Sequence, residues 1–141
     1  MEKEIKEYWS NSDYDEMGWH DCALYSISFV NESYEIFIEI DYIFDAESVK
    51  DYYIFTVAPA RMVFADVVDL VVNLNSKNIL GVSIIELDFF SIGLSPNGMV
   101  EMYKCVVSTD IGFISFNTSG FIMKILREPI KSDYQKLGRK L

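Results

Sequence analysis

Residues 17–44 read MGWHDCALYSISFVNESYEIFIEIDYIF, and two alternating patterns inside that stretch decide the fold class. Ala23, Tyr25, Ile27 and Phe29 are apolar, with Ser26 and Ser28 between them. From Tyr34 the apolar set moves to even positions, Ile36, Ile38, Ile40, Tyr42 and Phe44, and Glu35, Glu39, Asp41 and Asp45 fall among the intervening ones. Successive side chains of a strand point to opposite faces, so each segment predicts a strand with one inward face. Asn31-Glu32-Ser33 is short and polar and predicts the turn of a β-hairpin. The second strand therefore carries an aliphatic-aromatic face and an acidic one.

Outward from the hairpin the same grammar repeats. Residues 51–57, DYYIFTV, are rich in strand formers, and Pro59 is expected to end that strand or mark an edge. Residues 62–74 fit a strand or a helix; the valines favour a strand, and Asp66 breaks the alternation. Residues 82–91 predict a strand with Ile85, Leu87 and Phe89 on one face and Glu86 and Asp88 on the other. Ser95-Pro96-Asn97-Gly98 is a turn signal, and strands are expected at 99–107, 111–116 and 121–126. At the N-terminus, Ile5, Tyr8 and Trp9 have helical spacing over residues 2–10, and an acidic loop is expected over 11–20. At the C-terminus, Ser132 and Gln135 have capping-box spacing and Gly138 supplies a stop, predicting a turn or two of helix. The expected architecture is one mainly β (α+β) domain over residues 1–141. It has seven or eight antiparallel strands in a barrel-like or sandwich arrangement and a short helix at each end.

A chain of 141 residues with 50% hydrophobic and 15% aromatic content can bury a core without disulfides or metals, which excludes disorder. Cys22 and Cys105 lie in apolar strand patterns with no metal-ligand spacing, so they read as buried thiols of a reducing compartment. The opening MEKEIKEYW has no secretory h-region, and no apolar run is long enough for a membrane helix. A cytoplasmic protein is expected.

Charge is uneven. Twelve acids face one base, Lys50, between Glu7 and Ala60 (12 − 1, net −11), whereas residues 124–141 hold six bases and two acids (6 − 2, net +4). The acidic part would repel nucleic acid and attract a basic protein or a cation. Acidity that only keeps a greasy domain soluble explains the composition as well. The basic tail is expected to fold back on the acidic face.

Three sets of residues carry possible chemistry. His20 beside Asp21 is a candidate acid–base pair or metal-ligand pair, provided the Gly18-Trp19 turn bends the backbone enough for the two to share a site. Asp41 could join them to hold a hard cation. The competing readings are a structural histidine and carboxylates that are solvated or paired with the basic tail. The third set, Trp19, Glu35, Glu39, Asp41 and Asp45, would form an aromatic and acidic surface suited to a basic partner. Most of the tyrosines are expected in the core. No phosphate-binding glycine loop, nucleophilic triad or cofactor motif is present, so no cofactor is expected.

Three strings, Trp19-His20-Asp21, Glu39-Ile40-Asp41-Tyr42 and Ala58-Pro59 with Val63-Phe64, resemble segments shared by a group of small bacterial proteins of unassigned function. The likeness covers the first half of the chain. Such proteins are similar in size and acidity to the immunity proteins that neutralise bacterial toxins. The acidic hairpin predicts a non-enzymatic protein-binding module, and by analogy the resemblance implies an immunity-type inhibitor of a basic toxin. A metal-dependent or acid–base enzyme at His20, Asp21 and Asp41, and a binder of small apolar ligands, are the alternatives.

Overall fold

In a computed structural model of the chain, residues 6–30, 32–77 and 81–139 are described. They form ten strands: β1 (Tyr8–Ser10), β2 (Ala23–Val30), β3 (Glu35–Val49), β4 (Tyr52–Ala65), β5 (Val68–Leu74), β6 (Val82–Leu94), β7 (Glu101–Thr109), β8 (Gly112–Thr118), β9 (Gly120–Ile125) and β10 (Ile130–Ser132). All pair antiparallel in one open sheet of order β1-β9-β4-β3-β2-β6-β7-β8-β5, with β10 added to β4. The sheet folds over at the short β2–β6 junction, where only Ala23 and Leu24 meet Ser83 and Val82.

The two halves then face each other across an aromatic core. Phe64 of β4 meets Phe116 of β8 edge-on at 4.8 Å, and Phe89 of β6 meets Phe121 of β9 at 5.2 Å. Ile36, Ile38, Ile40 and Tyr42 line the inner face of β3, as their even spacing predicts. Each fully buried side chain of this size contributes about 1.5–3 kcal/mol.

The strand count exceeds the expected seven or eight, and neither terminal helix is present among the described residues. Residues 8–10, expected in a helix, form β1 on the edge of β9, where Trp9 reaches Phe44 with ring centroids 6.0 Å apart. Glu2, Lys3 and Ile5 lie outside the described residues. The single helix among the described residues is a 3-10 helix, Asn11–Glu16, in the segment expected to be a loop. It starts there because Ser10 and Asp13 form a reciprocal capping box. At the other end, residues 133–139 are irregular after β10, and the Ser132 hydroxyl accepts from the Tyr134 N–H without starting a helix. No helix among the described residues is long and apolar enough to cross a membrane.

Three β-bulges account for most of the other departures. The register shift between Leu24 and Ser26 turns Leu24 and Ile27 toward the core and leaves Tyr25 on the outer face, which breaks the expected odd-position set. A shift between Ile84 and Glu86 keeps Ile84, Leu87 and Phe89 inside and exposes Ile85. The third lies in β5 between Val68 and Val71. Residues 62–74 are strand throughout except at a kink at Asp66 and Val67, where Asp66 has a left-handed φ of 51° and accepts from the Ser119 hydroxyl at 2.7 Å. Pro59 neither ends β4 nor marks an edge. It sits between the residues of β4 that pair with β10 (55–57) and those that pair with β9 (60–65), where no N–H is needed.

Candidate functional site

Asp41 lies on the outer face of β3, yet it has no exposed surface. What covers it is the C-terminal tail. The Leu137 N–H donates to Oδ2 at 2.6 Å, Arg139 Nη1 donates to Oδ1 at 2.8 Å, and the Tyr25 hydroxyl donates to Oδ2 at 2.5 Å. Arg139 also stacks its guanidinium 3.9 Å from the centre of the Tyr25 ring and donates from Nη2 to the Ile40 carbonyl. The Gly138 N–H closes the network by donating to the Tyr25 hydroxyl at 2.9 Å. A buried carboxylate is tolerated when it is paired and its lone pairs are satisfied, as here. Burial, and next the Asp41 carboxylate, push the Tyr25 hydroxyl up to about 12, so it stays a proton donor at neutral pH. The expected return of the basic tail to the acidic face is thus a specific clasp on one residue.

His20 and Asp21 are brought together, though not on a strand. They occupy a turn in which Asp21 adopts φ 69°, placing His20 Nε2 3.5 Å from Asp21 Oδ2. His20 Nδ1 donates to the Ile85 carbonyl at 2.9 Å, which fixes the ring, and Gln135 of the tail donates to Asp21 Oδ2 at 3.1 Å. The imidazole stands open to solvent, with 73% of its side chain exposed. Asp41 does not join this pair, because its oxygens are taken by Tyr25, Leu137 and Arg139. Among the described residues no group of three or more His, Cys, Asp or Glu side chains is placed to hold a metal ion. Cys22, two positions on, is fully buried, and burial pushes its thiol up to about 12, which leaves it unreactive.

Of the residues expected at a binding surface, Trp19 is 4% exposed and lies in the core between Tyr14, Tyr42 and Phe121. The turn that presents His20 pulls Trp19 inward: the Gly18 N–H donates to the Tyr42 hydroxyl, and the Cys22 N–H to the Trp19 carbonyl. Glu39 is held by Arg61 across the β3–β4 ladder at 2.6 Å, and Glu35 is half-buried. Asp45 alone of the expected acids is exposed and without an ion-pair partner among the described residues.

The acidity that remains free is concentrated elsewhere. Beyond the bulge at Ile43–Asp45, β3 and β4 continue as a hairpin arm to Val49 and Tyr52, joined only by β10 at residues 55–57. Asp45 and Glu47 alternate along one side of β3, and Asp51 stands at the tip. All three are exposed, with no ion-pair partner among the described residues. Tyr52, opposite Val49, shares the face of Asp45 and Glu47, while Tyr53 lies on the other face and stacks on Phe55 at 6.2 Å; the two tyrosines are 51% and 57% exposed. Tyr52, Tyr53, Phe55 and Asp133 line a shallow concavity of about 540 Å³. Most of the tyrosines are expected in the core, but these two are exposed. The signal against that was the run of charges from Asp45 to Asp51 on either side of the turn, which marks an arm too polar to be covered.

Comparison with protein-family models finds no match, and comparison with curated proteins and with solved structures finds none either.

Proposed function

We propose that this chain is a non-enzymatic binding module for a basic protein surface, with the β3–β4 arm as its point of contact. The observation that carries the reading is the free acidity of the arm. Glu39 and Asp41 are neutralised within the fold by Arg61 and Arg139, whereas Asp45, Glu47 and Asp51 have no such partners among the described residues and share the arm with two exposed tyrosines, Tyr52 on the face of Glu47 and Tyr53 on the other. Rings that contribute contact area and carboxylates that steer encounter are what a basic partner selects. With the resemblance to small bacterial proteins, this supports an immunity-type inhibitor that covers a basic toxin. The test is a pull-down from the native source at low salt, eluted with rising salt, using the natural chain and a variant carrying Asp45→Lys and Glu47→Lys. A basic protein released by salt from the natural chain and not retained by the variant is the expected result. Equal retention by both removes the arm from the contact.

A second reading has its own observation. A cleft of about 520 Å³, bordered by Leu24, Ile27, Leu74, Val82, Ile111 and Lys136, opens between β2 and the adjoining ends of β5 and β6. An apolar cleft with a cation in its lining suits a small amphiphilic anion. Displacement of a fluorescent fatty acid by Leu74→Asp supports that reading, and the absence of any binding of the probe removes it.

A further inference from the structure

We propose that β5 is a contact between two copies of this chain, paired antiparallel, edge to edge, about a two-fold axis at Val72. β5 ends the strand order, and no strand among the described residues pairs with its outer edge. All seven of its residues are exposed, and five of them, Val68, Leu70, Val71, Val72 and Leu74, are large aliphatics. A solvent-facing row of backbone donors and acceptors flanked by aliphatic side chains is a template for another strand.

Charge identifies the occupant. Each copy carries a net charge of −10, so two copies repel over most of their surfaces. Leu70–Leu74 contains no charged residue, and Asp69 beside it is turned away in a left-handed bulge with φ 55°, its carboxylate accepting from Asn117 Nδ2 at 3.1 Å. An antiparallel copy centred on Val72 sets Val72 against Val72, Val71 against Asn73 and Leu70 against Leu74. No carboxylate meets another in that register. A basic partner, by contrast, gains nothing from this edge.

The contact closes on itself. An antiparallel pairing centred on one residue is isologous and uses up both edges, so assembly stops at two. The opposite end of the sheet, β1, is three residues long and too short to propagate it. A single short strand covers less than the roughly 800 Å² per partner of a standard interface, so the dimer is reversible. Salt must strengthen it, because screening removes the repulsion between acidic bodies and leaves the uncharged contact intact. That is opposite to the salt response of the arm.

The experiment is analytical ultracentrifugation of the full chain across the micromolar range at low and high salt, with Val72→Lys and Val72→Cys beside it. The expected result is a monomer–dimer equilibrium that tightens with salt and is lost in Val72→Lys, whose melting temperature is unchanged because Val72 is exposed. Val72→Cys should form a disulfide-linked dimer on mild oxidation, against a silent background, since Cys22 and Cys105 are fully buried. A monomer under every condition overturns the proposal and leaves the edge to a foreign strand. So does a dimer that weakens with salt, one that survives Val72→Lys, or failure of Val72→Cys to cross-link.

Discussion

Arg139 sits over Asp41, Nη1 to Oδ1 at 2.8 Å, and ties residue 139 to the centre of the sheet through a carboxylate with no exposed surface. The pair explains why an aspartate is tolerated on β3 beside Ile40 and Tyr42: the sheet supplies Tyr25, and the tail supplies an N–H and a guanidinium. Removing Arg139 leaves a buried charge with only two neutral donors.

Arg139→Ala is therefore expected to destabilise the protein by about 2–3 kcal/mol. That is somewhat below the ~3–5 kcal/mol of a fully buried pair, because the guanidinium is partly exposed. Chemical denaturation measures it. Asp41→Asn placed on the Arg139→Ala background should recover part of the loss, since it removes the unpaired charge. Equal stability of natural and Arg139→Ala proteins would mean that the tail does not hold Asp41 in solution.

Alkaline pH tests the same clasp from the other side. The Tyr25 and Tyr42 hydroxyls are pushed up from 10.0 to about 12, by burial first in both cases. A group whose folded value is raised contributes stability that is full below its unfolded value and is lost as pH rises toward the folded one. These two tyrosines should thus lose their contribution between about pH 10 and 12. Spectrophotometric titration should show a late-ionising class, and Tyr25→Phe should remove part of it. A single ionisation step for all nine tyrosines would contradict the burial of both.

The hairpin, the turn at Ser95–Gly98 and the inner face of β3 were legible in the sequence because period-two alternation survives wherever a strand runs without interruption. A bulge leaves composition intact and shifts parity by one. Tyr25 and Ile85 were therefore assigned to the inner face although both lie outside. Trp19 was legible as an important residue but not as a core residue, because its burial depends on Tyr14, Tyr42 and Phe121, which are distant in sequence. The opposite charges of tail and hairpin were visible. That Arg139 would take Asp41, and leave the acids of the arm free, depends on a tail with no periodic pattern of its own. The candidate site shifted along β3 for that reason.

Trp19 also makes an uneven prediction. Its ring fills the aromatic centre of the core, but its Nε1–H is buried without a hydrogen-bond partner among the described residues. Trp19→Ala opens a large cavity and should cost about 3–5 kcal/mol. Trp19→Phe also loses apolar area, but it removes an unsatisfied donor that itself costs about 1–3 kcal/mol, so the net penalty should be much smaller than for alanine. Denaturation midpoints of the two variants decide it. Equal penalties would mean that the indole N–H has a partner in solution.

Gly112 opens β8 with φ 140°, and a Cβ there would collide with the Asn73 carbonyl of β5. The close approach is what allows β5 to reach the end of its ladder at Leu74–Gly112. Gly112→Ala should strain the backbone by about 1–3 kcal/mol and loosen β5 before the rest of the sheet. Hydrogen exchange should show lost protection confined to residues 71–74 and their partners on β8. Protection lost evenly over the sheet would mean that β5 does not open as a separate unit.

The arm should separate binding from stability. Asp45 and Glu47 are exposed and make no ion pair among the described residues, so Asp45→Lys with Glu47→Lys should leave folding stability within about 0.5 kcal/mol for each change. Against a basic partner, the same changes should slow association by about tenfold or more at low salt, and the difference should shrink as salt is added, because steering acts through the screened field of the free carboxylates. Glu39→Lys is the control. It discards the Arg61 pair and sets like charges across the β3–β4 ladder, so its main effect should be on the melting temperature. Stopped-flow association with the captured partner distinguishes the two positions. If Glu39→Lys slows association more than the arm substitutions do, the contact lies on the central part of β3.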